Sequence, residues 1–72
     1  MVDKRLIAQK VGANLKRIRE GKNLSMQDLA TLAEVEKSQI YRIENGRVDV
    51  RVSTLVNLAT VLNIHLNQIL EL

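Results

Sequence analysis

Apolar residues recur every three or four positions along most of this chain, which is the spacing that gives an α-helix one buried face. The first stretch carries Ile7, Val11, Leu15 and Ile18 and predicts a helix over residues 3–20. Similar spacing continues towards the carboxyl end of the chain. It predicts four further helices, over residues 26–32, 37–44, 53–62 and 66–70.

The segment RVDVRV, residues 47–52, breaks this pattern because its apolar and polar residues alternate. Such alternation is typical of a strand, but the chain offers no second strand with which it could pair, so we expect an extended loop. Asn45 and Gly46 end the third helix, since glycine readily adopts the left-handed conformation at a helix end. The sequence thus predicts an all-α, compact five-helix bundle that forms a single domain over residues 1–72.

The most specific pattern lies in residues 24–46, which read as two short helices about one turn apart. Ser25 is followed three residues later by Asp28, a capping-box arrangement that marks the start of a helix. Ile40 and Ile43 share one face of the next helix, so the polar residues between them point the other way. This is the layout of a helix-turn-helix, in which a supporting helix holds a second helix in the DNA major groove.

An amphipathic helical hairpin with a solvated polar face would show the same periodicity, so the order of particular residues has to separate the two interpretations. The motif runs Leu29-Ala30, Val35, Ile40, Ile43 and then Glu44-Asn45-Gly46. This order resembles the lambdoid phage repressor and Cro-type helix-turn-helix family, and the resemblance extends from about Ile7 to Leu70. It implies the five-helix fold of that family and a DNA-binding function.

The resemblance also implies individual roles in binding DNA. In the family, the first residues of the recognition helix and one residue a turn later contact base edges, and here these are Lys37, Ser38 and Arg42. Arginine and lysine can donate hydrogen bonds to guanine O6 and N7, whereas serine discriminates less. Phosphate contacts, which fix register without reading sequence, are expected from Gln27, Gln39, Tyr41, Asn45 and Arg47.

Several positions depart from the family pattern. Met26 stands where the family often has a phosphate-contacting glutamine, and the adjacent Gln27 is the expected substitute. Glu34 stands where the family usually has a glycine in the turn, and a positive φ there costs a side chain ~1 kcal/mol or more. Glu36 replaces a capping serine or threonine, and Val50 replaces a proline in the loop before the fourth helix.

Two further charged positions match the family and are expected to be structural. Arg19 near the end of the first helix and Glu44 at the end of the third should form an ion pair that clamps these helices together. His65, the only histidine, is expected to be a surface or cap residue, since no metal-ligating partners lie at suitable spacing. The sequence suggests no catalytic constellation, so we expect no enzyme activity, cofactor, metal or small-molecule substrate.

Composition narrows the possibilities further. The 72-residue chain has no cysteine, phenylalanine or tryptophan, which excludes disulfides and thiolate metal sites and leaves an aliphatic core. No apolar run approaches the ~20 residues of a membrane-spanning helix. No secretory signal pattern opens the chain. We therefore expect a protein of the cytoplasm, located with the nucleoid.

Basic residues are concentrated in two parts of the chain, although the formal net charge is only +3. Residues 1–22 carry seven Lys or Arg and two acids, and residues 37–51 carry four bases and two acids. Residues 23–36 between them carry three acids and no base. The resemblance places both basic segments beside DNA, where Lys and Arg bind phosphate with salt-dependent affinity.

These observations favour a sequence-specific, double-stranded-DNA-binding transcription regulator, and more specifically a repressor. An antitoxin or a restriction-modification controller would share the same fold and much of the same surface. A helical protein-interaction module that has lost DNA binding is the alternative from another class. Such a module would tend to expose apolar residues on the recognition helix, where this chain has Lys37 and Arg42.

A homodimer is expected because one recognition helix reads too few base pairs for useful specificity in a genome. Two-fold symmetry would place two such helices about 34 Å apart on a pseudo-palindromic site. Val48 and Leu72 are the preferred interface probes, because the core pattern does not require them. The alternative is that Leu66, Ile69 and Leu70 simply close the core of one chain. The apolar residues that could form the interface are Val48, Val50, Val52, Leu66, Ile69, Leu70 and Leu72.

Overall fold

A computed structural model describes residues 2–72 and shows five α-helices, with no strand in that part of the chain. The helices are α1 Lys4–Gly21, α2 Met26–Ala33, α3 Lys37–Glu44, α4 Val52–Val61 and α5 Leu66–Ile69. The prediction of an all-α, five-helix fold is confirmed, and each predicted helix end is within one residue of the observed one. No helix within the described residues is long and apolar enough to cross a membrane.

Side-chain caps explain where the first two helices begin. Asp3 lies outside α1, and its Oδ1 accepts a hydrogen bond from the Arg5 N–H at 2.9 Å. Ser25 Oγ accepts from the Asp28 N–H at 2.9 Å, while Asp28 Oδ2 accepts from the Ser25 N–H at 2.8 Å, so the predicted capping box is present. Ser25 thereby lowers the pKa of the Asp28 carboxyl. The contribution of this carboxylate to stability is lost only as the pH falls into strong acid.

The turn between α2 and α3 keeps the backbone geometry for which the family usually supplies glycine. Glu34 has φ 57° and ψ 44°, in the left-handed region, and the Val35 N–H donates to the Ala30 carbonyl at 3.0 Å. The strain expected for a non-glycine residue is therefore present and tolerated, because the surrounding packing holds the turn. Glu36 precedes α3 in an extended conformation and makes no side-chain cap hydrogen bond.

The segment between α3 and α4 is a loop, as expected. Gly46 adopts φ 65° after the end of α3, which fits its predicted role. Val48 and Val50 are half-buried and pack against the core. The expectation that the core does not need Val48 is therefore wrong, since the loop folds back onto α1 and turns this side chain inwards.

The core is aliphatic and lies where the five helices meet. Its largest fully buried side chains are Leu15, Leu29, Ile40, Ile43, Leu58 and Ile69. On α1 the buried face includes Gly12 and Arg19, while Ile7 and Ile18 are only half-buried. The buried face of α1 is therefore not the face that the apolar residues of the sequence predict. It is rotated about the helix axis towards α3.

Gly12 allows α3 to approach α1 more closely than any other residue would. A Cβ placed at Gly12 would clash with the Ile43 carbonyl oxygen and would lie 2.8 Å from that of Glu44. The backbone at the end of α3 therefore rests directly on α1. Hydrophobic periodicity gives no sign of this contact, because glycine contributes nothing to an apolar stripe.

Arg19 and Glu44 meet inside the fold, with 6% and 7% of their surfaces exposed. Arg19 donates from Nε to Glu44 Oε2 at 2.6 Å and from Nη2 to Oε1 at 3.0 Å. Its Nη1 donates to the Leu24 carbonyl at 2.7 Å. The hydrogen bonds to Glu44 raise the pKa of the Arg19 guanidinium, so its stabilising charge is retained below strongly alkaline pH.

Gly12→Ala is expected to lower the free energy of unfolding by about 1–3 kcal/mol, because the added methyl group forces α3 away from α1. Gly21→Ala is the matched control, since nothing lies within 4 Å of a Cβ there, and should be neutral or stabilising by up to ~1 kcal/mol. Urea denaturation followed by far-ultraviolet circular dichroism measures both. Equal losses in the two variants would contradict the close contact at Gly12.

Arg19→Ala and Glu44→Ala are each expected to destabilise the protein by about 3–5 kcal/mol, because each leaves a buried charge without its partner. The double variant should cost less than the sum of the two. Lys16→Ala with Glu36→Ala provides a control cycle that should be additive, because these two exposed side chains form no ion pair. Additive losses at Arg19 and Glu44 in denaturant titrations would show that these side chains do not stabilise one another.

Candidate nucleic-acid interface

The outer side of α3 is polar and its inner side is buried. Ile40 and Ile43 lie in the core, 0% and 1% exposed. Lys37, Ser38 and Arg42 are exposed. With 3.6 residues per turn, these three positions fall within less than half of the helix circumference. The structure therefore brings the three expected base-contacting residues together on one surface.

The supporting helix α2 packs behind α3 and is itself held by α4. Leu29 and Ala30 are fully buried, and the small side chain of Ala30 leaves room for a second helix to cross. Asn57 of α4 donates from Nδ2 to the Ala33 carbonyl at 2.9 Å, so the last turn of α2 has a partner. The sequence did not predict this role of Asn57. A polar residue on an amphipathic helix does not show in the sequence which backbone group it binds.

Tyr41, Asn45 and Arg47 form one connected group at the end of α3. The Arg47 guanidinium carbon lies 6.0 Å from the centroid of the Tyr41 ring, within reach of a cation–π attraction. Asn45 Nδ2 donates to the Tyr41 carbonyl at 2.8 Å, and the Arg47 N–H donates to the Arg42 carbonyl at 2.9 Å. The Asn45 amide thus helps to end the helix, and both Asn45 and Arg47 remain exposed to solvent.

The two glutamines expected to contact phosphate occupy different surroundings. Gln27 is exposed on α2, and its Nε2 donates to Thr31 Oγ1 at 3.3 Å. Gln39 is half-buried at the edge of a cavity of about 390 Å³. Arg42, Arg51 and Thr54 line the same cavity. The structure therefore places Arg51 beside the outer side of α3.

Positive charge dominates this surface. Among residues 2–72, the ion pairs with N–O distances up to 4.0 Å all involve Arg19. Lys37, Arg42 and Arg47 therefore form no ion pair there, and the one acid that lines the cavity beside Arg42 and Arg51 is Asp49. A cluster of exposed cations without acidic partners provides the electrostatic attraction that nucleic acid backbones require.

Within the described residues, no group of three or more histidine, aspartate or glutamate side chains could hold a metal ion. His65 precedes α5, and its N–H donates to Gln68 Oε1 at 3.2 Å. This places the residue at the cap position that was expected for it.

Residues 15–69 match the helix-turn-helix family HTH_3. Over 55 residues the chain is 42% identical to a protein of Methanothermobacter thermautotrophicus that is provisionally named an HTH-type transcriptional regulatory protein. That match covers 76% of this chain but only 18% of the archaeal relative. The relative is thus a much longer protein.

Several solved structures share the fold, including a controller protein and a transcriptional regulator. The restriction-modification controller protein C.AhdI from Aeromonas hydrophila is 31% identical with a TM-score of 0.84, and the match covers 86% of this chain and 94% of that one. An HTH_3 family transcriptional regulator from Vibrio cholerae is 24% identical with a TM-score of 0.89, over 93% of this chain and 38% of that one. The sequence match and the shared architecture show that the chain belongs to the HTH_3 family of Cro- and repressor-type helix-turn-helix proteins.

Proposed function

We propose that this protein is a sequence-specific transcription regulator that binds double-stranded DNA with α3 in the major groove and acts as a repressor. The observation that carries the proposal is the two-sided environment of α3. Hydrogen-bond donors extend from its outer side, while Ile40, Ile43 and the Arg19–Glu44 ion pair fix its inner side. A helix held in this way can enter the groove without losing its packing.

The proposed contacts divide into two kinds. Lys37, Ser38 and Arg42 read base edges, and Arg42 has the geometry for a paired hydrogen bond to guanine O6 and N7. The remaining contacts go to phosphate and set the register of the protein on the duplex. They are assigned to Gln27, Gln39, Tyr41, Asn45 and Arg47.

A protein-interaction module fits this surface less well. Such a module needs contiguous apolar area at its contact site. On the outer side of α3 the large hydrophobic side chain is Tyr41, which is 44% exposed, and cations surround it. The charge and donor content of α3 therefore support DNA as the partner.

Repression follows from occupancy, because a protein bound across a promoter blocks access to it. This action requires no cofactor and no small-molecule substrate, and it takes place in the cytoplasm, where bacterial or archaeal DNA lies.

A restriction-modification controller is the second candidate function. The match to C.AhdI at 31% identity covers 94% of that controller, so a controller can consist of little more than this domain. Chromosomal mapping of bound sites separates the two candidates. Sites confined to the promoters of the protein's own gene and of adjacent restriction and methyltransferase genes would favour the controller.

We further propose that the working form is a homodimer joined through an apolar surface around the start of α4 and the end of the chain. Val52 and Leu72 are each 65% exposed, Val56 is 46% exposed and Leu70 is 39% exposed. A groove of about 170 Å³ runs beside Val52 and Leu70. Ile69 is fully buried, so it closes the core of one chain and is not available to the interface.

Binding to random-sequence duplexes, followed by sequencing of the selected pool, is expected to yield an enriched motif. Arg42→Ala should lose about 1–3 kcal/mol of discrimination at one or two base pairs of that motif. Arg47→Ala should weaken binding to all duplexes alike, because a phosphate contact does not depend on sequence. A pool without enrichment would refute specific binding, and identical behaviour of the two variants would refute the division into base and phosphate contacts.

Val52→Glu and Leu72→Glu are each expected to weaken self-association by tenfold or more, because each places a charge in the proposed dimer interface. Leu32→Glu, at a residue of α2 that is 52% exposed, is the control and should leave association unchanged. Sedimentation equilibrium at micromolar concentration measures the effect. One protein per duplex at saturation, on a selected site without two-fold symmetry, would refute the dimer.

A further inference from the structure

The three residues that follow α5 are fastened to α1. Residues 70–72 lie outside any helix, and we call them the α5 extension. Asn14 of α1 donates from Nδ2 to the Ile69 carbonyl at 2.9 Å and to the Glu71 carbonyl at 2.6 Å. A single side-chain amide therefore holds both the end of α5 and the middle of the extension.

The α5 extension follows α1 back towards the start of that helix. Lys10 lies about one turn before Asn14, and its Nζ donates to the Leu72 carbonyl at 3.2 Å. Lys10 is exposed, whereas Asn14 is half-buried, so water competes more strongly for the hydrogen bond of the lysine. The Asn14 Oδ1 also accepts from Arg17 Nη1 at 3.3 Å, which orients the amide. Asn14 is thus the principal attachment of the extension to α1.

The α5 extension carries much of the apolar surface that we assign to the dimer interface. Leu70 is 39% exposed and Leu72 is 65% exposed. Leu70 also lines the groove of about 170 Å³, together with Ile7 of α1 and Val52 of α4. Because Asn14 holds the carbonyls on both sides of Leu70, it fixes where these leucines lie relative to α1.

The opposite side of α1 holds α3. Gly12 lies against the backbone at the end of α3, and Arg19 binds Glu44. Gly12 and Arg19 are seven positions apart and share one face of the helix, whereas Asn14 lies roughly 200° around the axis from Gly12. The helix therefore separates the proposed reading element from the proposed dimer surface and joins the two rigidly.

We propose that Asn14 is a positioning residue that sets the spacing between the two DNA half-sites bound by a dimer. The inference rests on the proposed homodimer and on the proposed reading of DNA by α3. The path from one recognition helix to the other runs through α1, Asn14 and the α5 extension of each protomer. A change of one base pair between the half-sites moves a recognition helix by about 3.4 Å and rotates it by roughly 35° about the duplex. A firmly held extension resists that displacement, whereas a loose one allows it.

The test uses duplexes that carry the two half-sites of the enriched motif at the selected spacing, or with one base pair inserted or removed between them. The wild-type protein should bind the selected spacing about tenfold or more tightly than the other two, because the altered duplexes displace one recognition helix. Asn14→Ala should reduce this preference to about threefold or less, since alanine cannot donate to the two carbonyls. The base preferences within each half-site should stay the same, because α3 is held by Gly12 and Arg19 and not by Asn14.

Asn57→Ala is the matched control, because it also removes a side-chain amide that donates to a backbone carbonyl at 2.9 Å. That hydrogen bond joins α4 to the last residue of α2, so it takes no part in holding the α5 extension. The control should keep the wild-type preference for spacing. Urea denaturation of both variants measures their stability, which separates a loss of spacing preference from a general loss of stability.

The outcomes separate the role of Asn14 from the proposed function. An unchanged preference in Asn14→Ala, an equal loss in Asn57→Ala, or a wild-type dimer indifferent to spacing would overturn the role of Asn14 and leave the DNA-binding dimer intact. Binding of the wild-type protein as one copy per duplex, or to no duplex at all, would overturn the proposed function and this inference with it.

Discussion

The buried Arg19–Glu44 ion pair is the interaction on which the rest of the structure depends. The Arg19 guanidinium binds both carboxylate oxygens of Glu44 and also the Leu24 carbonyl. Leu24 precedes α2 and Glu44 ends α3, so one side chain holds both ends of the helix-turn-helix against α1. Burial makes the arrangement demanding, because a guanidinium removed from water requires well-placed acceptors. The Arg19 guanidinium has two such acceptors, the Glu44 carboxylate and the Leu24 carbonyl.

The position of α3 follows from this clamp together with direct backbone packing at Gly12. The inner side of the helix is committed to the core through Ile40 and Ile43. Its outer side is consequently not part of the core. Lys37 and Arg42 on that side can therefore contact DNA without a loss of stability. This separation explains how an eight-residue helix can be both part of the core and the proposed reading element.

Short connections between the helices rely on left-handed backbone conformations. Asn23, Glu34 and Asn63 all have positive φ, at 59°, 57° and 55°, and each follows a helix. Asparagine tolerates this region better than most residues, whereas Glu34 adopts it only because α2 and α3 are fixed on either side. A small domain without aromatic core residues thus depends on tight turns and close backbone contacts as much as on apolar burial.

The sequence by itself determined the helices, the Ser25 capping box, the helix-turn-helix and the polar side of α3. These features follow from residues a few positions apart, and periodicity and capping are local properties. The Arg19–Glu44 contact was reached only through the resemblance to a family. Tertiary structure alone decided the approach of α3 at Gly12, the inward turn of Val48 and the contact of Asn14 with the α5 extension. These depend on how the chain folds back on itself, and distant parts of a chain meet by packing that no local pattern records.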